Sequence, residues 1–157
     1  MLYQKFQGTV GLEVIPSDNT FVPNVSNQIV SSASTSVTAN KLVDNTVDYV
    51  DLGIKEGNII YNTTGQLATR VVAVDDANTL SLEDDIFTAI GENYVIYDNY
   101  SHEPCFLYVG QFGDVRVLLE GGGDVTLRNL NDGQFLPLYI KKVFSTGTTA
   151  TNLVAIW

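Results

Sequence analysis

The chain has 157 residues, room for one compact domain or two very small ones, and a fold of this size buries roughly 70% of the surface its unfolded form exposes. Its single cysteine, Cys105, excludes an intramolecular disulfide, and its 18 acidic against 8 basic residues leave a net charge of −10. No stretch is long and apolar enough to span a membrane, and the opening MLYQKFQGTVG lacks the apolar run of a signal peptide, so a soluble protein is expected.

Val, Ile and Thr number 19, 10 and 15 against 8 Ala, a β composition, and no window sustains apolar residues at helical spacing. Helix is expected to be minor. In chain order, Pro16 to Asn24 (PSDNTFVPN) reads as a turn-bearing piece of a small β domain. Asn24 to Asn40 is Ser-, Thr- and Asn-rich and suits a linker or an edge strand. Gly53 and Gly57 then mark a turn before a strand at Asn58 to Asn62. Strands over Thr69 to Val74 and Thr79 to Leu82 read as a hairpin about a turn at Asp75 to Asn78, and a strand at Tyr94 to Tyr97 follows. These short antiparallel runs predict a small SH3-like or OB-like barrel, and they resemble small β modules of marine phage virion proteins.

Further strands are predicted at Phe106 to Val109, Val115 to Glu120 and Val125 to Asn129, separated by GQFGD and GGGD, and then in FLPLYIKKVF and TNLVAIW about the turn STGTTA. Pro137 places its strand at a sheet edge or at a bulge. Charge separates the two groups of strands. Residues 41–100 hold 3 basic and 11 acidic residues, a net of −8, which makes nucleic acid an unfavourable partner for that segment. The remainder is close to neutral and suited to lie against another protein.

The series IPSDNTFVP, LYVGQFGDVRV, GGGDVTLRNL, GQFLPLYIKKV and STGTTATNLVAIW resembles the phage spike-base family, which includes the head-spike base of gene transfer agents. The resemblance covers residues 9–25 and 103–157, and residues 26–102 stand where that family has a short connection. It implies an all-β fold: a discontinuous β-sandwich or barrel-like domain of residues 1–38 with 99–157, interrupted by an inserted acidic module of residues 39–98. Such an insertion is tolerable because loop-closure entropy grows by only about 0.6 kcal/mol per doubling of loop length. The resemblance also implies a protein-contact surface, for which the candidate interface residues are Pro16, Ser17, Asp18, Gly110, Gly113, Asp114, Leu136, Pro137, Thr146, Gly147, Thr148, Thr149 and Trp157.

Chemistry is sparse. Asp75, Asp76, Glu83, Asp84 and Asp85 offer hard oxygen donors, but without the spacing of a Ca²⁺ loop. His102 is the lone histidine, so any His-dependent metal or triad site has to be built on it, and its place in the polar seam favours neither. Cys105 reads as a small buried residue. EGGGD joins two strands without a following Gly-Lys-Ser/Thr, so a hairpin turn outweighs a phosphate cradle. Asn24, Asn62 and Asn99 each begin a sequon, and without a secretory signal these are coincidental. Lys141 and Lys142 read as a solvated strand end, and the aromatics as core residues rather than a sugar-stacking platform.

The expectation is therefore a non-enzymatic virion protein without a cofactor, on the outer surface of a tailed-phage head. It would serve as capsid decoration or head-spike base and contact the major capsid protein or other virion proteins. A homo-oligomer, trimer or pentamer, is expected to cover the terminal strand. The alternatives are a tail, collar, baseplate or fibre component and a host-surface carbohydrate-binding module.

Overall fold

The computed structural model describes residues 7–99 and 103–157; His102 lies outside them. Twelve strands are present among the described residues: β1 (Gly11–Glu13), β2 (Gln28–Ala33), β3 (Lys41–Val43), β4 (Ile59–Asn62), β5 (Leu67–Asp76), β6 (Thr79–Leu82), β7 (Asn93–Tyr97), β8 (Cys105–Gln111), β9 (Gly113–Leu119), β10 (Asp124–Leu130), β11 (Gln134–Val143) and β12 (Thr151–Ile156). The helical content there is one 3-10 turn, Val25–Asn27, capped by the Asn24 side chain. The fold is all-β, as the branched composition requires.

Two antiparallel six-stranded sheets are packed together. The first has the order β1-β12-β8-β11-β9-β10 and unites both ends of the chain; the second has the order β2-β7-β4-β5-β6-β3 and comes from one continuous stretch. Within the first sheet, alternation sends Leu107, Val109, Val115, Val117, Leu136, Ile140 and Leu153 into one buried cluster. Leu42, Tyr49, Ile60, Val71, Leu80, Phe87, Tyr94 and Ile96 form a separate core within the second.

The second sheet curls until its edges meet. Beyond β2, Ser36 bridges Val43 of β3, and the Thr35 amide donates to the Val43 carbonyl at 2.8 Å. The polar seam thus supplies an edge strand and its closing extension, and residues 28–38, assigned from sequence to the outer domain, are hydrogen-bonded into the second sheet. Composition marks such a segment as edge-like but cannot say which sheet it borders, because pairing is a long-range choice. The sequence also leaves two short strands unmarked: β1, which pairs with β12, and β3, which pairs with β6. At three residues each, neither is long enough to show alternation.

β4 explains how the sheets join. All four of its residues are buried, because one face lines the second core through Ile60 while Ile59 and Tyr61 meet Ile15, Leu12 and Tyr97 in a third cluster. Full burial of a side chain such as Ile15 contributes about 1.5–3 kcal/mol. Polar ties flank this contact: Asn19 Nδ2 donates to Asp84 Oδ2 at 3.1 Å, and Asn24 Nδ2 to Glu103 Oε2 at 2.8 Å. The two ends of the stretch that forms the second sheet are close, since the Asp98 amide donates to the Asn27 carbonyl at 2.8 Å.

Pro137 sits in a central strand, so the edge alternative is excluded. β11 lies between β8 and β9, and its register with β8 shifts between Leu136 and Ile140. The irregularity accommodates a residue without an N–H. β11 then carries on from β8 to β9, pairing with the latter from Ile140 to Val143.

Candidate functional site

The segments that carry the family resemblance converge on the loop Ser145–Ala150, between β11 and β12. Asp18, in the turn after Pro16, accepts from the Thr146 amide at 3.0 Å and from its hydroxyl at 2.6 Å. These hydrogen bonds, that of the Thr146 hydroxyl foremost, hold the Asp18 carboxyl below its ordinary range. Ser17 organises the same turn: its hydroxyl accepts from the amides of Asn19 and Thr20, both at 3.1 Å. On the other side of the loop, Thr149 Oγ1 accepts from the Asp114 amide at 2.9 Å, and Thr148 Oγ1 from the Arg116 amide at 3.0 Å. Asp114 Oδ1 also accepts from the Asn129 amide at 2.9 Å, which ties β10 to the same point.

Two glycines permit this approach. A Cβ on Gly113 would lie 2.4 Å from the Ala150 nitrogen, and one on Gly110 would lie 2.4 Å from the Asn152 carbonyl oxygen. Neither site has room for any side chain. Ser17, Asp18, Gly113, Asp114, Thr146, Gly147, Thr148 and Thr149 are thus one structural cluster, stapling the turn after Pro16 to the β11–β12 loop, with Pro16 and Gly110 beside it. Leu136, Pro137 and Trp157 lie elsewhere. Leu136 is buried in the first core, so its side chain does not belong to a surface, whereas Pro137 is exposed. Trp157 is half-buried, with Nε1 donating to the Glu103 carbonyl at 3.0 Å.

Sequence reading missed a cation–aromatic cluster beside the loop. The Arg116 guanidinium stands 4.3 Å from the Phe144 ring centroid and grips Asp124 through Nε and Nη2 at 3.0 and 2.7 Å. Lys142 Nζ lies 5.2 Å from the Phe21 ring and 5.3 Å from that of Phe144, and donates to the Asp18 carbonyl at 3.0 Å. Burial, then the nearby Arg70 charge, lower its pKa. The residues come from distant strands, so only a signal of pairing could have found them.

The aromatics divide by sheet. Tyr49, Tyr61, Phe87 and Tyr94 are fully buried in or against the second sheet, as expected of core residues. In the first sheet the expectation fails: Tyr108, Phe112, Phe135 and Tyr139 are exposed, Tyr139 by 59% and Phe112 by 75%. Tyr108 faces Phe135 across β8–β11 and Val154 across β8–β12, while Phe106 faces Ile156. Phe106 stacks on Phe135 with centroids 5.9 Å apart and tilts against Tyr139 at 5.1 Å. Together with Pro137 they make an uncharged aromatic face. Both faces of these strands are apolar, so alternation alone could not say which face would be covered.

The acidic groups proposed as oxygen donors are occupied within the second sheet. Asp75 pairs with Lys41 and accepts from Ser81, Glu83 pairs with Arg70, Asp84 accepts from the Thr69 hydroxyl at 3.0 Å, and Asp85 from the Asn40 amide at 3.0 Å. Asp44 is fully buried there. Its Oδ2 accepts from Tyr94, whose hydroxyl meets that of Tyr49 at 2.9 Å, while Oδ1 accepts from the Thr46 amide and hydroxyl. Burial acts to raise its pKa, but hydrogen bonds from Ser32, Thr46 and Tyr94 outweigh it and the net shift is downward. Cys105 is fully buried, and burial pushes its thiol up to about 12, a protonated group without nucleophilic character at neutral pH.

Between the two sheets lies a cleft of about 440 Å³. β12 and the Ser145–Ala150 loop form one wall, Glu13 to Pro16 the floor, and the β4–β5 turn at Gln66 and Leu67 the other wall. Gln66 and Asn152 both have φ of 54°, in the left-handed region that non-glycine residues rarely enter.

Against protein-family models, curated proteins and solved structures, the chain has no match.

Proposed function

We propose that the protein is a structural subunit of a tailed-phage virion, a capsid decoration or head-spike base protein held by protein–protein contacts. The observation that carries this reading is the exposed aromatic face of the first sheet, formed by strands that bear the spike-base resemblance. Exposed apolar patches rimmed by polar groups mark contact surfaces, and aromatic residues are enriched at the buried centres of interfaces. The −8 segment makes up most of the second sheet and suits a solvent-facing role, since acidic surface keeps proteins soluble and apart. Attachment is then apolar, and a symmetric lattice of copies adds avidity.

The test is copy number per particle by quantitative gel and density map. Tyr108→Asp with Tyr139→Asp is expected to strip the protein from particles. Asp51→Asn with Glu56→Gln, at two exposed acids in the connection between β3 and β4, should leave occupancy unchanged, and occupancy should persist in high salt, where the screening length is about 3 Å at 1 M. Salt-induced release, or loss of the charge variant alone, reverses the proposed orientation, and density on the tail instead of the head transfers the reading to a tail or baseplate part.

A further inference from the structure

We infer that the cleft between the two sheets is a binding site for a neutral saccharide. The proposal does not depend on how the protein is attached to a particle. At about 440 Å³ the cleft falls within the size class of small-molecule sites, about 300–1,000 Å³. Leu67, 47% exposed although it opens a strand, and half-buried Pro16 give it apolar surface over the buried Val14 and Leu153. Around them stand hydroxyls and carboxamides, with Glu13 the one charged residue in the lining.

That composition selects among ligands. Without a lysine or arginine in the lining, a phosphate or sulfated group has no counter-charge, and Glu13 repels it. One carboxylate is too few for a hard cation, and no group of three metal-ligating side chains occurs among the described residues. A wholly apolar ligand would desolvate the carboxamides and hydroxyls without replacing their hydrogen bonds. A saccharide satisfies both kinds of surface: its C–H faces cover the apolar residues while its hydroxyls donate and accept. The Glu13 carboxylate, an acceptor through both oxygens, suits a pair of adjacent hydroxyls, and the Asn152 carboxamide offers a donor and an acceptor. Neither side chain has a hydrogen-bond partner among the described residues.

The backbone supports the assignment independently. Gln66 and Asn152 occupy opposite walls, both in left-handed backbone, a conformation that costs Gln66 about 1 kcal/mol or more and that Asn adopts more readily. Asn152 is accommodated because Gly110 opposite it has no side chain. Glycine would relieve the strain at both positions, yet both are carboxamide residues that line the cleft, Gln66 with its Nε2 donating to the Thr63 carbonyl at 2.8 Å. Strained residues held by their surroundings are a reason to look for a ligand.

The experiment is an amide-resolved NMR titration of the full chain with maltose, cellobiose, lactose and N,N′-diacetylchitobiose, and separately with inorganic phosphate and an uncharged Gly/Ser peptide. At least one disaccharide should bind at millimolar concentration and shift amides at residues 13–14, 66–67 and 148–153. Gln66→Gly combined with Asn152→Gly keeps the left-handed backbone and should weaken binding at least about tenfold, with no fall in the melting temperature. Glu13→Gln, at an exposed position, should weaken it in the same direction and serves as a second variant should the double glycine variant misfold. The inference is overturned if no disaccharide perturbs the cleft, if phosphate or the peptide does so instead, or if binding survives these substitutions.

Discussion

The two sheets solve the same problem in opposite ways. The second is built from residues 28–97 alone, closes on itself at Ser36 and Val43, and seals Tyr49, Phe87 and Tyr94 inside. The first joins Gly11–Glu13 to Thr151–Ile156, across almost the whole chain, and leaves Tyr108, Phe135 and Tyr139 outside. A closed sheet has no free edge and needs no partner, whereas a sheet with one face buried and an aromatic opposite face has surface still to cover. The contrast teaches that charge and closure go together here: the self-sufficient sheet carries most of the acids, and the neutral one carries the exposed aromatic face.

The strongest way to break this comparison is to remove one side of it. Excising residues 28–97 and joining Asn27 to Asp98 through a short Gly/Ser linker should leave the first sheet folded, since those two residues are already hydrogen-bonded. It should lose about 3–5 kcal/mol, because Leu12 and Ile15 lose their cover from β4. Denaturant unfolding measures the loss, and a chain without cooperative unfolding means that the two sheets fold only together. A narrower perturbation is Asp44→Ala, which leaves the Tyr94 hydroxyl and the Thr46 amide without their acceptor inside the second sheet. It should cost about 3 kcal/mol. Hydrogen exchange should show the loss of protection in β2 to β7, with β8 to β12 retaining theirs.

Gly110→Ala tests the other sheet. Its Cβ would meet the Asn152 backbone, so β8 and β12 must separate at a cost of about 2 kcal/mol, with lost protection now in the first sheet. The gentlest probe is acid. Asp44, Asp75 and Glu92 in the second sheet have pKa values lowered in the folded state, and so do Asp18 and Asp124 in the first. A lowered folded pKa means that the unfolded chain takes up protons first. The stability these groups contribute is complete above the ordinary carboxylate range near about 4 and is lost as pH falls through the folded values. Asp44 is the fully buried one, whereas Asp18 and Asp124 are exposed and screened by solvent, so tyrosine fluorescence should report loosening of the second sheet before the first.

What the amino-acid sequence determined by itself is local. Branched residues and glycine turns place β4 to β12 within a few residues of their observed bounds, because side-chain period and turn chemistry act over neighbouring positions. The irregularity at Pro137 follows equally from one missing N–H. Charge segregation is read directly from composition. Only tertiary structure decided that β2, from the Ser- and Thr-rich seam, pairs with β7, that Asp44 lies in a core where its neighbours hydrogen-bond it, and that Arg116 and Lys142 meet Phe144. It alone turned Phe135 and Tyr139 outward and brought Gln66 opposite Asn152 across a cleft. The reason is that strands such as β11 are apolar on both faces, so the choice of covered face and of neighbouring strand rests on contacts between residues far apart in sequence, about which local pattern carries no information.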